Sequence, residues 1–324
     1  MLQYKTIGVT GASGHLGSCL IQMLLQKEYL VQALFNKSQP TFTHPNLLWV
    51  KGDVLEPESL EKLFLNSSVV IHCASVVSIG EINEEVVYPI NVNGTENIIK
   101  ECLERKIKLI YISSSAAVLE TDENETFNEN RPYKTENDFL YSWTKALSEK
   151  KILAAGKSDN LDAIILRPTA IVGPPDYRPS HFGQTIFDIA NNNIPAIAKG
   201  GYNIVDVRDV SKTIINSIDK GLQGEVYLVS GNYYTLPEIA KITNPESKLI
   251  AIPINLLLFF LPLINLYKKI FSLKLPITKE SLLTLKLAPK KMDNSKAKNE
   301  LNHTVRPISE TVKDLLFWQK NYKK

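Results

Sequence analysis

TGASGHLG, at residues 10–17, follows an apolar run at 7–9 and precedes a segment whose apolar residues recur at helical spacing. A buried strand, a glycine-rich turn and such a helix begin a dinucleotide-binding βαβ unit. We expect Gly11 to turn the chain sharply off the strand, Gly14 to admit a pyrophosphate close to the backbone, and Gly17 to let helix and strand pack closely. The first amides of the helix would face the phosphates, where the helix dipole favours negative charge. The spacing is GxxGxxG, a weak signal without support elsewhere in the chain.

The length and composition bound the fold class. A chain of 324 residues with 44% hydrophobic side chains holds one large α/β domain, or a main domain with a smaller one. Its three cysteines are odd in number and have no metal-ligand spacing, which indicates a reducing, cytoplasmic setting and no metal site. A strand that begins by about Thr6 leaves no room for a signal peptide.

The charge is unevenly distributed along the chain. Residues 268–324 contain 14 Lys and Arg against 5 Asp and Glu, whereas the whole chain has a net charge of only +3. A basic tail can bind nucleic acid or an anionic membrane surface. This tail has no nucleic-acid recognition motif and no regular aromatic residues between its lysines. We therefore expect solvated lysines and no nucleic-acid partner.

Apolar runs alternate with helical segments along most of the chain. Strands are predicted at 7–9, 30–35, 47–50, 69–73, 109–112, 163–166 and 225–229, with helices at 58–65, 92–105 and 141–155. This alternation predicts an α/β, Rossmann-like doubly wound parallel sheet with a smaller, mostly helical C-terminal substrate domain. We assign residues 1–170 and 204–232 to the dinucleotide-binding domain, and 171–203 and 233–324 to the substrate-binding domain.

Two other segments have a distinctive composition. Residues 249–267 approach transmembrane length in apolar residues, but two prolines and two asparagines interrupt them. They predict a buried or interface helix; the alternative is peripheral membrane contact through 249–274, because the basic tail follows directly. Residues 120–131 are acidic and aperiodic and predict an exposed loop.

Residues suited to proton transfer lie at the end of the fifth strand and on the next predicted helix. Tyr141 and Lys145 are four residues apart and share one face of the predicted helix. An ammonium near a phenol lowers the pKa of the phenol, so that it exchanges a proton near neutral pH. The serines at 113–115 end the fifth strand, where ligands bind in parallel sheets.

Three segments, in this order and spacing, resemble the extended short-chain dehydrogenase/reductase family: the glycine-rich turn at 10–17, the serines at 113–115 and YSWTK at 141–145. The pair Arg167-Pro168 further resembles the family's dihydroflavonol 4-reductase and 3β-hydroxysteroid dehydrogenase branches more than the sugar epimerases. More segments match the family pattern over nearly the whole chain: KGDV at 51–54, VIHCAS at 70–75, NVNGT at 91–95, LRPTAIVGP at 166–174, VRDV at 207–210 and DNSKAKNEL at 293–301.

The resemblance implies a role for each matching residue. Tyr141 would be the general acid/base, and Lys145 would lower its pKa and hold the nicotinamide ribose. Ser115 would hydrogen-bond the substrate oxygen; the triple serine leaves Ser114 as the alternative. The implied cofactor contacts are Gly11, Ala12, Ser13, Gly14, His15, Leu16, Gly17, Asn36, Lys37, Asp53, Val54, Cys73, Ala74, Ser75, Ser113, Tyr141, Lys145, Pro168 and Ile171. Of the histidines, His15 would act through its backbone amide, and His72 is expected to be a core residue.

The end of the second strand bears on the choice of cofactor. NAD-binding relatives have an acidic residue there that binds the ribose 2′-hydroxyl, whereas this chain has Asn36 and Lys37. NADP is therefore preferred, and NAD remains the alternative because the arginine usual in NADP-binding relatives is absent.

Members of this family catalyse several different reactions, so membership alone does not identify the reaction of this chain. The chain lacks the Tyr-Gly that sugar epimerases carry after the serines, and it lacks the Asp-Glu pair of dehydratases. We expect reduction of an apolar ketone or aldehyde, or the reverse reaction; the alternative is a nucleotide-sugar epimerase or dehydratase. Residues 176–194 and 249–267 would form the substrate pocket, with Tyr177, Arg178, His181 and Phe182 as weaker candidates for contact. A homodimer through the helices that carry NVNGT and YSWTK is a further expectation.

Overall fold

A computed structural model describes residues 5–37, 39–78, 83–122, 124–270 and 277–322. The strands are β1 (Thr6–Thr10), β2 (Leu30–Phe35), β3 (Leu47–Lys51), β4 (Ser67–His72), β5 (Lys108–Ile112), β6 (Ala163–Pro168), β7 (Ala170–Val172), β8 (Ala196–Lys199), β9 (Gly201–Asp206), β10 (Val226–Val229), β11 (Asn232–Thr235) and β12 (Ile250–Pro253). The α-helices are α1 (His15–Gln26), α2 (Pro57–Phe64), α3 (Glu84–Tyr88), α4 (Gly94–Arg105), α5 (Leu140–Ser158), α6 (His181–Ala190), α7 (Val207–Lys220), α8 (Leu236–Thr243), α9 (Ile254–Ile270), α10 (Lys279–Leu287), α11 (Ser295–Leu301) and α12 (Ile308–Tyr322).

Seven strands form the main sheet in the order β10-β6-β5-β4-β1-β2-β3, and every pairing in it is parallel. All seven strands predicted from the sequence are in this sheet, with boundaries that agree to within two residues. The Rossmann-like fold expected from the sequence is confirmed. The strand order reverses between β1 and β4, and such a switch point opens a ligand-binding crevice at the carboxyl ends of the strands.

The two faces of this sheet are covered by separate apolar cores. Along β4, Val69 and Ile71 point into one cluster, while Val70 points into the other. This alternation follows from the two-residue period of a strand. Because both faces are covered by helices, the strands read as nearly continuous apolar runs, which made them recognisable in the sequence.

The helices next to the crevice begin close to where the sequence predicted. The predicted segments 58–65, 92–105 and 141–155 correspond to α2, α4 and α5. The segment predicted at 92–105 does not begin as an α-helix, because residues 89–93 form a π-helical turn and α4 starts only after it. Pro89 opens that turn and has no N–H to donate.

A smaller part of the molecule lies beyond the carboxyl ends of the main sheet. It contains the sheet β11-β9-β7, the pair β12-β8 and two apolar clusters that involve α6, α8, α9, α10 and α12. One helix departs from the division made on the sequence. Ala297 and Leu301 of α11 are buried in a core of the main sheet, although residues 233–324 were assigned to the substrate-binding part.

Of the buried or interface helix predicted at 249–267, the buried form is wrong, and an interface helix stays a prediction. The segment forms β12 and α9, and within α9 only Ile254 and Leu261 are buried among the described residues. The rest of the helix, including Phe259, is half-buried or exposed. No helix in the described part of the chain is both long and apolar enough to cross a membrane. Residues 271–274 of the predicted membrane-contact segment lie outside the described residues.

The acidic segment at 120–131 is exposed only in part. Phe127 is buried beside Val118 and Leu228, and its N–H donates to the Lys291 carbonyl. Glu129 accepts a hydrogen bond from the N–H of Leu228. These contacts attach the segment to β10, whereas the sequence predicted an exposed loop.

Candidate functional site

The turn between β1 and α1 is shaped by close backbone contacts. Gly11 has a φ of +65°, and a Cβ there would lie 2.6 Å from the Ala74 nitrogen. A Cβ on Gly17 would overlap the Gly11 carbonyl oxygen. At Gly14 the nearest contact for a Cβ is that same oxygen at 3.1 Å, and the residue is exposed. Of the three glycines, Gly14 therefore presents open backbone to an approaching ligand.

The first turn of α1 has the features of an anion site. Gly14 is its N-cap and supplies no side-chain cap, and the first turn carries no acidic residue. The helix amides are thus available to an anion at the positive end of the helix dipole. Ala12 is fully buried, while Ser13 and Leu16 are half-buried beside this turn.

The segment after β4 forms the wall opposite this turn. The backbone N–H of Cys73 donates to the Thr10 carbonyl, and that of Ala74 to the Thr10 hydroxyl. Ser75 donates to the Asn91 side chain at 3.0 Å. Asn91 in turn donates to the Thr144 hydroxyl on α5. This buried amide fixes the wall against the helix of Tyr141 and Lys145. Asn91 was not among the predicted site residues, although its place in NVNGT marks it in the sequence.

The Asn36 carboxamide and the Asp53 carboxylate meet just after the ends of β2 and β3. Asn36 donates from Nδ2 to Asp53 Oδ2 at 2.6 Å, and Lys37 is exposed beside it. Val54 is buried against Gly94 at the start of α4. The place where the sequence predicted a site for a 2′-phosphate therefore holds the Asp53 carboxylate as well as the Lys37 ammonium.

Tyr141 opens α5 opposite the serines that follow β5. Its hydroxyl lies close to the Ser114 side chain; burial raises the pKa of Tyr141 to about 12, while the Ser114 hydroxyl acts to lower it. Ser114 already accepts from the Ala116 N–H at 3.1 Å, so its own proton is free to be donated to the tyrosine oxygen. Ser115, the residue preferred from the sequence, begins the 3-10 turn that follows. The contact with Tyr141 in this structure thus belongs to its neighbour.

Lys145 lies one turn further along α5, buried below Tyr141. Its Nζ donates to the Ile112 carbonyl at 2.8 Å and to the Tyr111 hydroxyl at 3.3 Å. Burial lowers the pKa of Lys145 to about 8, against the raising effects of Cys73 and Glu149. The sequence predicted that this ammonium lowers the Tyr141 pKa; in the structure burial dominates and raises that pKa, and Lys145 Nζ is hydrogen-bonded to β5.

His72 is a buried core residue, as the sequence suggested. Its Nδ1 lies 2.6 Å from the Thr10 hydroxyl and its Nε2 3.1 Å from the Thr95 hydroxyl. Burial, followed by the nearby Lys145 charge, lowers its pKa to about 3. The ring is therefore neutral at physiological pH and serves as a hydrogen-bonding strut between β1, β4 and α4.

The chain returns to the crevice along β6 and β7. Pro168 ends β6, and Ile171 is half-buried in β7. Just beyond them, the Gly173 carbonyl lies 2.7 Å from His15 Nε2. The His15 ring thus joins the glycine-rich turn to the segment after β7, whereas the sequence predicted a role for its backbone amide rather than its ring.

Ser113 bears on whether a polar ligand fits the crevice. Its side-chain oxygen is buried and has no hydrogen-bond partner within the described part of the chain. Buried polar groups are normally paired, so an orphan beside a crevice indicates a polar group that comes from outside. With the open Gly14 and the uncapped start of α1, it makes the crevice suitable for a nicotinamide dinucleotide.

The weaker substrate candidates lie in different places. Tyr177 packs its ring against Trp318 and Tyr322 of α12, and its hydroxyl accepts from Gln22 at 2.7 Å. Phe182 packs against Tyr202 inside the smaller part of the molecule. Both contacts are structural. Arg178 and His181 are exposed.

Several known proteins are similar to this chain. The model of the 3-beta hydroxysteroid dehydrogenase/isomerase family matches residues 8–235. Sterol demethylase protein B of Methylococcus capsulatus is 28% identical over 320 residues, covering 96% of this chain and 97% of that protein. A putative dihydroflavonol 4-reductase of Synechocystis is 27% identical over 329 residues, covering 97% and 94%. The crystal structure of gox2253 superposes with a TM-score of 0.84 at 26% identity and covers 98% of each chain.

Proposed function

The chain belongs to the 3-beta hydroxysteroid dehydrogenase/isomerase family, and on that premise we propose that it is an NAD(P)-dependent oxidoreductase that reduces a ketone or aldehyde of an apolar small molecule, or catalyses the reverse reaction. The names of two relatives, a sterol demethylase protein and a putative dihydroflavonol 4-reductase, support a fairly apolar substrate. The absence of the epimerase Tyr-Gly and the dehydratase Asp-Glu from the sequence supports a simple oxidoreductase over a sugar-modifying enzyme.

One observation carries this proposal: α5 brings Tyr141 against the serines that follow β5, directly above a buried lysine. The closeness of the Ser114 side chain to the Tyr141 hydroxyl supports a position of the phenol at the carboxyl end of the sheet. The Lys145 ammonium is held at a fixed position by the Ile112 carbonyl. A proton donor, a hydroxyl donor and a fixed cation are the groups that a carbonyl needs when negative charge develops on its oxygen.

The proton in this mechanism comes from Tyr141. With a pKa raised to about 12, its hydroxyl is protonated at neutral pH and donates to the substrate oxygen. Ser114 donates its own hydrogen bond to the tyrosine oxygen and stabilises the phenolate that remains. Ser115, the next residue, is assigned the hydrogen bond to the substrate oxygen. When bound, a reduced nicotinamide supplies the hydride.

The cofactor would lie across the switch point of the main sheet. The amides that open α1 would hold the pyrophosphate beside Gly14. Lys37 supports NADP, the form preferred from the sequence, since an ammonium attracts a 2′-phosphate. The Asp53 carboxylate, which accepts from Asn36, opposes it. We propose that the Lys37 charge dominates, because its side chain is exposed and free to reach a phosphate.

The assay for this function follows nicotinamide absorbance with NADPH or NADH and a panel of aldehydes, flavonoid ketones and steroid ketones. Tyr141→Phe is expected to lower kcat at least about 100-fold, because general acid catalysis contributes roughly that much. NADPH binding by the same variant should remain nearly unchanged. Tyr29→Phe, at a tyrosine on the loop before β2, is the matched control and should keep full activity.

Two outcomes would contradict the proposal. A Tyr141→Phe enzyme that retains more than about a tenth of the wild-type rate would exclude the tyrosine as proton donor. Turnover of a sugar nucleotide with only a catalytic amount of cofactor, together with no reduction of the panel, would identify the epimerase alternative instead.

A further inference from the structure

α9 presents an apolar strip on the outside of the molecule. Its inner face packs through Ile254 and Leu261 into the apolar cluster of the smaller part. The opposite face, which we call the outer strip, exposes large apolar side chains at helical spacing: Leu256, Phe259, Phe260, Leu263, Leu266 and Ile270. At 1.5 Å per residue the strip is about 21 Å long.

This amount of exposure is unusual for a folded chain. Phe259 is 76% exposed and Leu263 60% exposed. A single exposed apolar residue needs no explanation, but a contiguous row of them marks an interaction surface. The helix contains no Asp or Glu, so no acidic side chain within it interrupts the strip.

Positive charge lies at both ends of the strip. Lys268 and Lys269 are in the last turn of α9. At its other end, a cavity of about 380 Å³ is lined by Lys199, Lys286 and Lys290 together with the first residues of the helix. The surroundings of the strip are therefore complementary to an anionic surface.

The same charges disfavour a second copy of the chain as the partner. An antiparallel two-fold pairing of α9 helices would place Lys268 and Lys269 of each copy near the lysine-lined cavity of the other. A parallel pairing would place the two lysine ends side by side. Both arrangements bring like charges together, which costs free energy at an interface.

We propose that α9 lies flat on a membrane that contains anionic phospholipid, with the outer strip among the acyl chains and the flanking lysines at the headgroup phosphates. An apolar face bordered by lysines is the arrangement of interfacial helices. The helix has 17 residues with Pro262 inside it, and no described helix is long and apolar enough to cross the bilayer. The attachment is thus along one surface, and it is independent of the reaction proposed above.

Sedimentation of the full chain with vesicles tests this attachment. We expect binding to vesicles of phosphatidylcholine with about 30% phosphatidylglycerol, weaker binding to phosphatidylcholine alone, and loss of most binding at high salt. The double variant Phe259→Gln with Leu263→Gln should lower the partition coefficient at least about 100-fold, since each buried side chain is worth roughly tenfold or more. Lys269→Gln should lower it about fivefold.

The matched control is Phe317→Gln on α12, where the phenylalanine is 71% exposed; its binding should equal that of the wild type. Circular dichroism of each variant shows that the fold is retained. The proposal is wrong if the wild type does not bind anionic vesicles, or if the double variant binds them as well as the wild type. It is also wrong if sedimentation velocity without lipid shows a dimer that the double variant dissociates, since the strip would then be a contact between copies.

Discussion

Replacing Glu149 by Gln should destabilise the protein strongly. Glu149 lies on α5, one turn after Lys145, and is completely buried with the guanidinium of Arg167 from β6. Arg167 donates to it from Nη2 at 2.6 Å and from Nε at 3.0 and 3.1 Å, and donates from Nη1 to the Glu129 carbonyl at 2.8 Å. The substitution keeps the shape of the side chain but removes its charge, so that a buried guanidinium loses its counter-ion.

The expected size of the effect follows from this burial. Removing one partner of a buried ion pair costs about 3–5 kcal/mol, because the remaining charge stays desolvated without compensation. Whole domains are stable by only about 5–15 kcal/mol. Urea unfolding followed by tryptophan fluorescence is a suitable measurement, since Trp143 is on the same helix as Glu149.

Two further variants test whether the loss of stability comes from the buried ion pair itself. Glu104→Gln breaks the exposed pair between Lys100 and Glu104, which are 3.9 Å apart, and should cost less than about 1 kcal/mol. Glu149→Gln combined with Arg167→Met removes both buried charges, and its loss of stability should be clearly smaller than the sum of the losses of the two single variants. A loss below about 1 kcal/mol for Glu149→Gln, or additive losses in the double variant, would refute this reasoning.

Three other predictions concern the proposed active site. Ser115→Ala should lower kcat/KM about 100-fold and Ser114→Ala about 10-fold; the reverse order would transfer the substrate contact to Ser114. Lys37→Ala should weaken NADPH binding but not NADH binding, and Asp53→Asn should strengthen NADPH about tenfold relative to NADH; equal responses of both cofactors in titrations would show that neither side chain faces the 2′ position. Because burial lowers the pKa of Lys145 to about 8, its cationic form is lost as pH rises through 8, and kcat/KM should fall above that pH; a flat profile to pH 10 would contradict a role for the cation.

The main sheet could be predicted from the sequence because its strands are covered on both faces. Runs such as residues 30–35 are apolar whichever way a side chain points, so their identification needs no tertiary information. The turn at residues 10–17 was equally accessible, since backbone crowding at Gly11 and Gly17 admits no side chain. Local constraints of this kind restrict which residue types can occur at a position, so they can be recognised in the sequence.

The contacts of the candidate site depend on tertiary register and were harder to predict. Whether Ser114 or Ser115 meets Tyr141 depends on the backbone of a 3-10 turn, which three consecutive serines do not distinguish. The hydrogen bond from Lys145 to the Ile112 carbonyl depends on how closely α5 approaches β5. Spacing along one helix showed that Tyr141 and Lys145 share a face, but not which neighbours that face meets.

The periphery was the least predictable region. Apolarity at 249–267 indicates a helix with two apolar faces, yet the sequence does not say that only one face finds a partner within the chain. Phe127 shows the opposite case. It is an isolated apolar residue among acidic ones, and it is buried because residue 228, a hundred positions away, comes to lie beside it.

Because α11 packs into the core of the main sheet, the cofactor-binding part is not expected to fold when it is expressed without the end of the chain. Leu301 of α11 shares one apolar core with Ile7 of β1 and Ile214 of α7, so the first strand is completed by residues near the end of the chain. A truncated 1–170 fragment would expose that core and also lose β10 from the edge of the sheet. Recombination between relatives would therefore preserve the fold only if both ends of the chain came from the same parent.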